Sequence, residues 1–121
     1  WLSGSSVKPV AIRNIYDAST VIKIPIIGVG GVTCGRDAAE MLRAGAPSVQ
    51  VCTEAILKGT SIYGKIAKEL NDFLDSHGYN DENEIIGLAH KKCEERNFRT
   101  ESLAPTVKQD VCIKGGIWQT S

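Results

Sequence analysis

The residues in this sequence best suited to chemistry are the glycines of Ile24-Pro25-Ile26-Ile27-Gly28-Val29-Gly30-Gly31-Val32, and the chemistry they suit is phosphate binding. Gly28-x-Gly30-Gly31 is backbone without side chains, which can come close to a ligand. Thr33 follows as a candidate helix cap, and Arg36 to Gly45 reads as the helix it would open. Free N–H groups and the positive end of the helix dipole would then point at an anion. The same spacing also suits a βα turn in which glycine merely allows tight packing, and both readings stand at this point.

Other reactive residue types are scattered. Cys34 lies beside the glycine turn, where a nucleophile or redox thiol could stand, but a lone cysteine is more in keeping with packing. Lys8 could neutralise a phosphate; a solvated lysine at a helix start is the stronger reading. Arg36 opposes the dipole of its helix, so it either supports an anion or makes an outward salt bridge. His77 and His90 have no partner at metal-ligand spacing and read as surface residues. None of the four cysteines forms a C-x-x-C pair, which suits free thiols in a reduced intracellular protein.

These residues need elements to position them. The Ile24 run has four β-branched residues in its first six and is opened by proline, so it is expected to be a strand buried on both faces. Before it, Pro9 suits the start of a helix whose face carries Ile12, Ile15, Ser19 and Ile22. After it, Gly45 is a natural helix end, and Ser48 to Thr53 is a second short strand. Strand, helix and strand this close together make a parallel βαβ unit with a right-handed crossover. Ile62, Ile66, Leu70, Phe73 and Leu74 mark a further amphipathic helix ending near Gly78. Asn80 to Glu84 has the capping and acidic character of a short helix start. From residue 89 the chain becomes highly charged and then loses any period, as a linker and tail would.

Composition excludes more than it assigns. Fourteen basic and fourteen acidic side chains in 121 residues give no reason to expect nucleic acid or an acidic membrane surface as partner. No apolar run reaches the length of a membrane span and no signal peptide is visible, so a cytoplasmic location is expected. The chain opens on Trp1 within a loop-like stretch and is expected to be a fragment of a larger protein.

Four motifs, in order, resemble the flavin-binding barrel of the dihydroorotate dehydrogenase family. They are Leu2-Ser3-Gly4 with Val7-Lys8-Pro9-Val10-Ala11-Ile12-Arg13, then Ile24 to Gly31, then Asp37-Ala38-Ala39-Glu40 with Ala44-Gly45-Ala46, and finally Val49-Gln50-Val51-Cys52-Thr53. The likeness covers residues 2–88 and extends to the pyrimidine-reducing domain of dihydropyrimidine dehydrogenases, which Val-Cys-Thr is similar to.

The resemblance implies an α/β fold, the C-terminal fragment of a (β/α)8 TIM barrel comprising its last two strands and their helices. Residues 1–88 would form that part, and 89–121 a tail leading toward a ferredoxin-like segment. Barrels commonly hold phosphate at the loops after strands 7 and 8. Carried over to this sequence, Gly4, Gly30, Gly31, Cys52 and Thr53 would surround the phosphate of FMN. The resemblance further implies oxidation of the 5,6 bond of dihydroorotate, with uracil or thymine reduction as the alternative. A flavin-free phosphate-binding barrel enzyme is a third reading. The catalytic cysteine or serine of the family lies on an earlier loop, so no catalytic residue is assigned here. Iron–sulfur clusters would belong to a missing domain or to an electron-transfer subunit, and a homo-oligomer is expected. Asp110-Val111-Cys112-Ile113-Lys114 resembles the entry to a ferredoxin segment, but Gly115 stands where the next ligand should be, and no metal is assigned.

Overall fold

The computed structural model describes residues 2–94, so Cys112 and the rest of the tail lie outside the described residues. A 3-10 turn over Gly4–Val7 leads into helix α1 (Lys8–Val21), with Pro9 in its first turn. Strand β1 (Ile27–Val29), helix α2 (Gly35–Ala44) and strand β2 (Ser48–Gln50) follow. The short helix α3 (Thr53–Lys58) precedes α4 (Ser61–Ser76), a 3-10 turn at Glu82–Glu84 and α5 (Leu88–Glu94). The charged run after residue 88 thus begins as a helix.

β1 and β2 pair in parallel, Ile27 with Ser48, Gly28 with Val49 and Val29 with Gln50, across the α2 crossover. The βαβ unit expected from the sequence is therefore present, with shorter strands than expected. Pro25 has no N–H to give a ladder, and Gly30 turns the chain at φ 122°. The expectation that the first strand is buried on both faces is corrected. Gly28 is covered by α1 and α2, whereas Ile27 is 61% and Val29 48% exposed on the opposite face. Helices cover one side of this sheet and nothing described covers the other.

The core gathers around α2, which is buried on most of its circumference. Met41 is fully buried among Ala11 and Ile15 of α1 and Ile62 and Ile66 of α4. Ala39 and Leu42 pack with Leu74 and Ile85 in a second cluster. Of the stripe expected on α1, Ile15 is buried and Ile12 partly so, while Ile22 is exposed at the helix end and Ala11 takes its place in the core. The expected stripe on α4 is present, with Leu70 and Phe73 half-buried. Gly45 closes α2 in the left-handed region, where its N–H donates to Leu42 O. The turn after Asn80 is capped by Asp81, whose carboxylate accepts the Asn83 N–H at 2.9 Å.

His90 is not the surface residue expected. Its ring stacks on Tyr16 with centroids 4.1 Å apart. Nε2 lies 2.7 Å from Ser19 Oγ and 3.1 Å from the Ala44 carbonyl. These contacts bind α5 to α1 and to the C-terminal end of α2. His77, by contrast, is exposed as expected and keeps to its own helix, with Nδ1 2.8 Å from Phe73 O.

Candidate functional site

A cavity of about 250 Å³ opens at the C-terminal ends of the two strands. Gly4, Gly30, Gly31, Cys52 and Thr53 all line it, so the structure brings together the five residues that the resemblance assigned to a phosphate site, while Lys8, Cys34 and Arg36 do not line it. They arrive on three segments: the 3-10 turn before α1, the turn after β1 and the start of α3.

Three glycines in the left-handed region make the first two segments possible: Gly4 (φ 79°), Gly30 (φ 122°) and Gly31 (φ 73°). Their lack of side chains serves packing directly. A Cβ on Gly30 would come within 2.9 Å of Ala11 Cβ. One on Gly31 would stand 2.8 Å from the Gly4 carbonyl oxygen and 2.8 Å from Lys8 Cβ. The turn after β1 is therefore pressed against the start of α1. Tight packing and an open backbone, alternatives in the sequence, hold at the same two positions.

The helix behind the glycine turn does not face the cavity. The Gly35 N–H at the start of α2 donates to Glu69 Oε2 of α4 at 2.8 Å. Cys34, not Thr33, occupies the N-cap position, and it makes no side-chain cap. The reading of α2 as the anion-facing helix and of Thr33 as its cap is thus corrected. The helix that does begin at the cavity is α3, which was not expected. Its signals are short-range ones: Glu54 in the first turn, Lys58 in the last and Gly59 just beyond. Glu54 is buried at the cavity wall and pairs with Lys58.

Thr33 has another role. Its backbone N–H and its Oγ1 both donate to Asp37 Oδ2, at 2.9 and 2.7 Å. The other oxygen of the same carboxylate accepts from Lys8 Nζ at 2.5 Å. Burial pushes the Asp37 carboxyl up, but the hydrogen bonds from Lys8 and Thr33, with a smaller one from the Cys34 side chain, outweigh it and lower the pKa to about 2. Lys8 also meets Glu40 Oε2 at 3.0 Å, and its pKa is raised, chiefly by the Asp37 hydrogen bond. Lys8 is therefore neither a solvated lysine nor one of the residues lining the cavity, because two carboxylates already hold it. Asp37 was not singled out from sequence. An acidic residue three positions after the N-cap is the signal that marks it.

The remaining candidates are peripheral. Arg36 is exposed and lies 3.7 Å from Glu40, the outward pair foreseen for it. Cys34 is half-buried and Cys52 exposed, both as free thiols. Among the described residues no cluster of His, Cys, Asp and Glu could hold a metal ion, and no helix is long and apolar enough to cross a membrane.

Comparison with known proteins identifies the family. The family model described as dihydroorotate dehydrogenase matches residues 1–74. The dihydroorotate dehydrogenase B (NAD(+)) catalytic subunit of Pyrococcus furiosus is 46% identical over 89 residues, covering 74% of this chain and 30% of its own. The protein of the same name from Methanosarcina mazei is 48% identical over 90 residues, covering 74% and 28%. Among solved structures, the ferulenol complex of DHODH from Eimeria tenella superposes with a TM-score of 0.69 at 31% identity, over 74% of this chain and 24% of that one. The chain thus spans less than a third of the length of the relatives it matches. The α/β architecture, the matched motifs and these relatives agree: the chain belongs to the dihydroorotate dehydrogenase family.

Proposed function

We propose that this chain forms the last two βα units of a (β/α)8 barrel and holds the phosphate of FMN in an enzyme that oxidises dihydroorotate. The observation that carries the proposal is the convergence of Gly4, Gly30, Gly31, Cys52 and Thr53, from three separate segments, on one cavity at the C-terminal strand ends. That is where barrels build phosphate sites, commonly with a short extra helix of the kind α3 provides.

The residues present fit such a group. The cavity has the volume for a phosphate, three left-handed glycines (Gly4, Gly30 and Gly31) bring main chain to its wall beside the apolar Leu2, Val7 and Val29, and Thr53 adds a hydroxyl. The one carboxylate in the wall, Glu54, is matched by Lys58. Backbone N–H groups of Gly30, Gly31 and Thr53 would bind the phosphate oxygens, and the Thr53 hydroxyl would donate a further hydrogen bond. When bound, the flavin supplies hydride acceptance from the substrate carbon. The contribution of this chain is to bind and orient. The bare sheet face with Ile27, Val29 and Gln50 would become barrel interior, closed by strands from elsewhere in the full protein.

Relatives named as catalytic subunits support assembly with an electron-transfer subunit, which would carry the iron–sulfur cluster. A cytoplasmic homo-oligomer is the proposed setting. The test is the complete enzyme, assayed with dihydroorotate and dihydrouracil beside an artificial electron acceptor. Bound flavin and strong preference for dihydroorotate are expected, because donors built for its carboxylate would be left unpaired by dihydrouracil. Preference for dihydrouracil would overturn the substrate, and a flavin-free active enzyme would overturn the cofactor.

A further inference from the structure

We infer that Asp37 is a positioning residue that holds the phosphate cradle in shape without touching the ligand; the inference rests on the phosphate reading of the cavity. One buried carboxylate ties together two of the three segments that form the cradle. Through Oδ2 it takes both donors of Thr33, two residues beyond Gly31. Through Oδ1 it takes the ammonium of Lys8, four residues beyond Gly4. The two segments also meet directly, since a Cβ on Gly31 would strike the Gly4 carbonyl and the Lys8 backbone. Contact on one side and the carboxylate on the other fix where the cradle N–H groups stand.

The chemistry of the acceptor is specific. A buried carboxylate can accept three hydrogen bonds from an ammonium, an amide and a hydroxyl at once, and no neutral side chain offers that many lone pairs without also presenting a donor. In the Asp37→Asn variant the side-chain amide would have to turn its NH2 toward either Lys8 or Thr33, both of which are donors. Satisfying the Thr33 N–H at Asp37 also takes that N–H out of reach of a ligand and leaves the ones before it in the turn, at Gly30, Gly31 and Val32. Glu40 provides the contrast. It meets the same Lys8 ammonium at 3.0 Å but accepts nothing from the turn after β1.

The experiment compares FMN with riboflavin, which lacks only the phosphate, by fluorescence titration of the flavin-stripped complete enzyme. Asp37→Asn is expected to lower the preference for FMN over riboflavin by about tenfold, the scale of one charge-assisted hydrogen bond. Thr33→Val, which removes only the hydroxyl, is expected to lower it by about threefold and keeps the test open should Asp37→Asn fail to fold. Glu40→Gln is expected to leave the preference within about twofold, because Glu40 pairs only with Lys8 and Arg36, accepts nothing from the turn after β1 and so cannot join two cradle segments. Equal loss of FMN and riboflavin in Asp37→Asn, or an effect of Glu40→Gln as large as that of Asp37→Asn, would overturn the inference and leave Asp37 a general stabiliser. Failure of the phosphate reading itself looks different: the unaltered enzyme would not prefer FMN to riboflavin, and Thr53→Val would change nothing.

Discussion

Replacing Gly31 by alanine separates two costs that are usually confounded. The backbone there has φ 73°, which disfavours any L side chain by about 1–2 kcal/mol. The new methyl would also lie 2.8 Å from the Gly4 oxygen, 2.8 Å from Lys8 Cβ and 2.9 Å from Lys8 N. Ordinary contact starts at 3.4 Å, so three atoms, two of them backbone, must retreat by about half an ångström. Overpacking of that kind costs about 1–3 kcal/mol, for a total of about 2–5 kcal/mol. Gly78 supplies the control, with φ 74° and nothing within 4 Å of its absent Cβ. Gly78→Ala should therefore cost only the conformational part, about 1–2 kcal/mol. Urea unfolding of both variants in the complete protein measures the difference. Gly31→Ala should be less stable than Gly78→Ala by about 1–3 kcal/mol and should also bind FMN more weakly. Equal midpoints for the two variants would refute the claim that the turn after β1 is pressed against α1.

Three further outcomes are expected. The Asp37 pKa is lowered to about 2 from the usual 3.8, so its stabilisation is fully present above about pH 5 and is lost as pH falls toward 2. Acid titration of the unfolding midpoint should show a loss of about 1–2 kcal/mol from this carboxylate across that window, after allowance for solvent screening, and Asp37→Asn should lack that part of the slope. Cys52→Ala should leave FMN affinity within about twofold, because the thiol is exposed and only the backbone is asked to contribute; a larger loss in a fluorescence titration would give the sulfur a role. The 121-residue chain expressed alone should self-associate through Ile27 and Val29, and Val29→Lys should shift it toward monomer in analytical ultracentrifugation. A monomer with sharp cooperative unfolding would contradict that.

Local signals in the sequence were legible, and long-range ones were not. Helical stripes and the Gly45 end defined α1, α2 and α4, because the period of an amphipathic helix is written in adjacent turns. The five cradle residues were found through motif order and resemblance, and the cavity gathers them all. One face of β1 is bare among the described residues, and this was not legible because apolar content does not reveal whether the strands that would cover a sheet face are present. Lys8 meets Asp37 across 29 positions and His90 meets Ser19 across 71, distances at which composition carries no information about pairing. Helix α3 has six residues, fewer than two turns, and so leaves no period to detect. The role of α2 was misassigned because the pattern of a helix start does not say where its first N–H points, and here Glu69 from α4 takes it.

The clasp of His90 on Ser19 and Ala44 sits at the opposite end of α2 from Asp37. Asp37 and Ala44 are separated by about 10 Å along the helix, at the edge of the range over which substitutions usually couple. α2 thus works as a strut, with the Asp37 clasp on Lys8 and Thr33 near one end and the His90 anchor at the other. Changes around Ser19 and His90 are expected to retune how well the chain withstands heat while leaving the Asp37 end, and the proposed phosphate cradle beside it, in place.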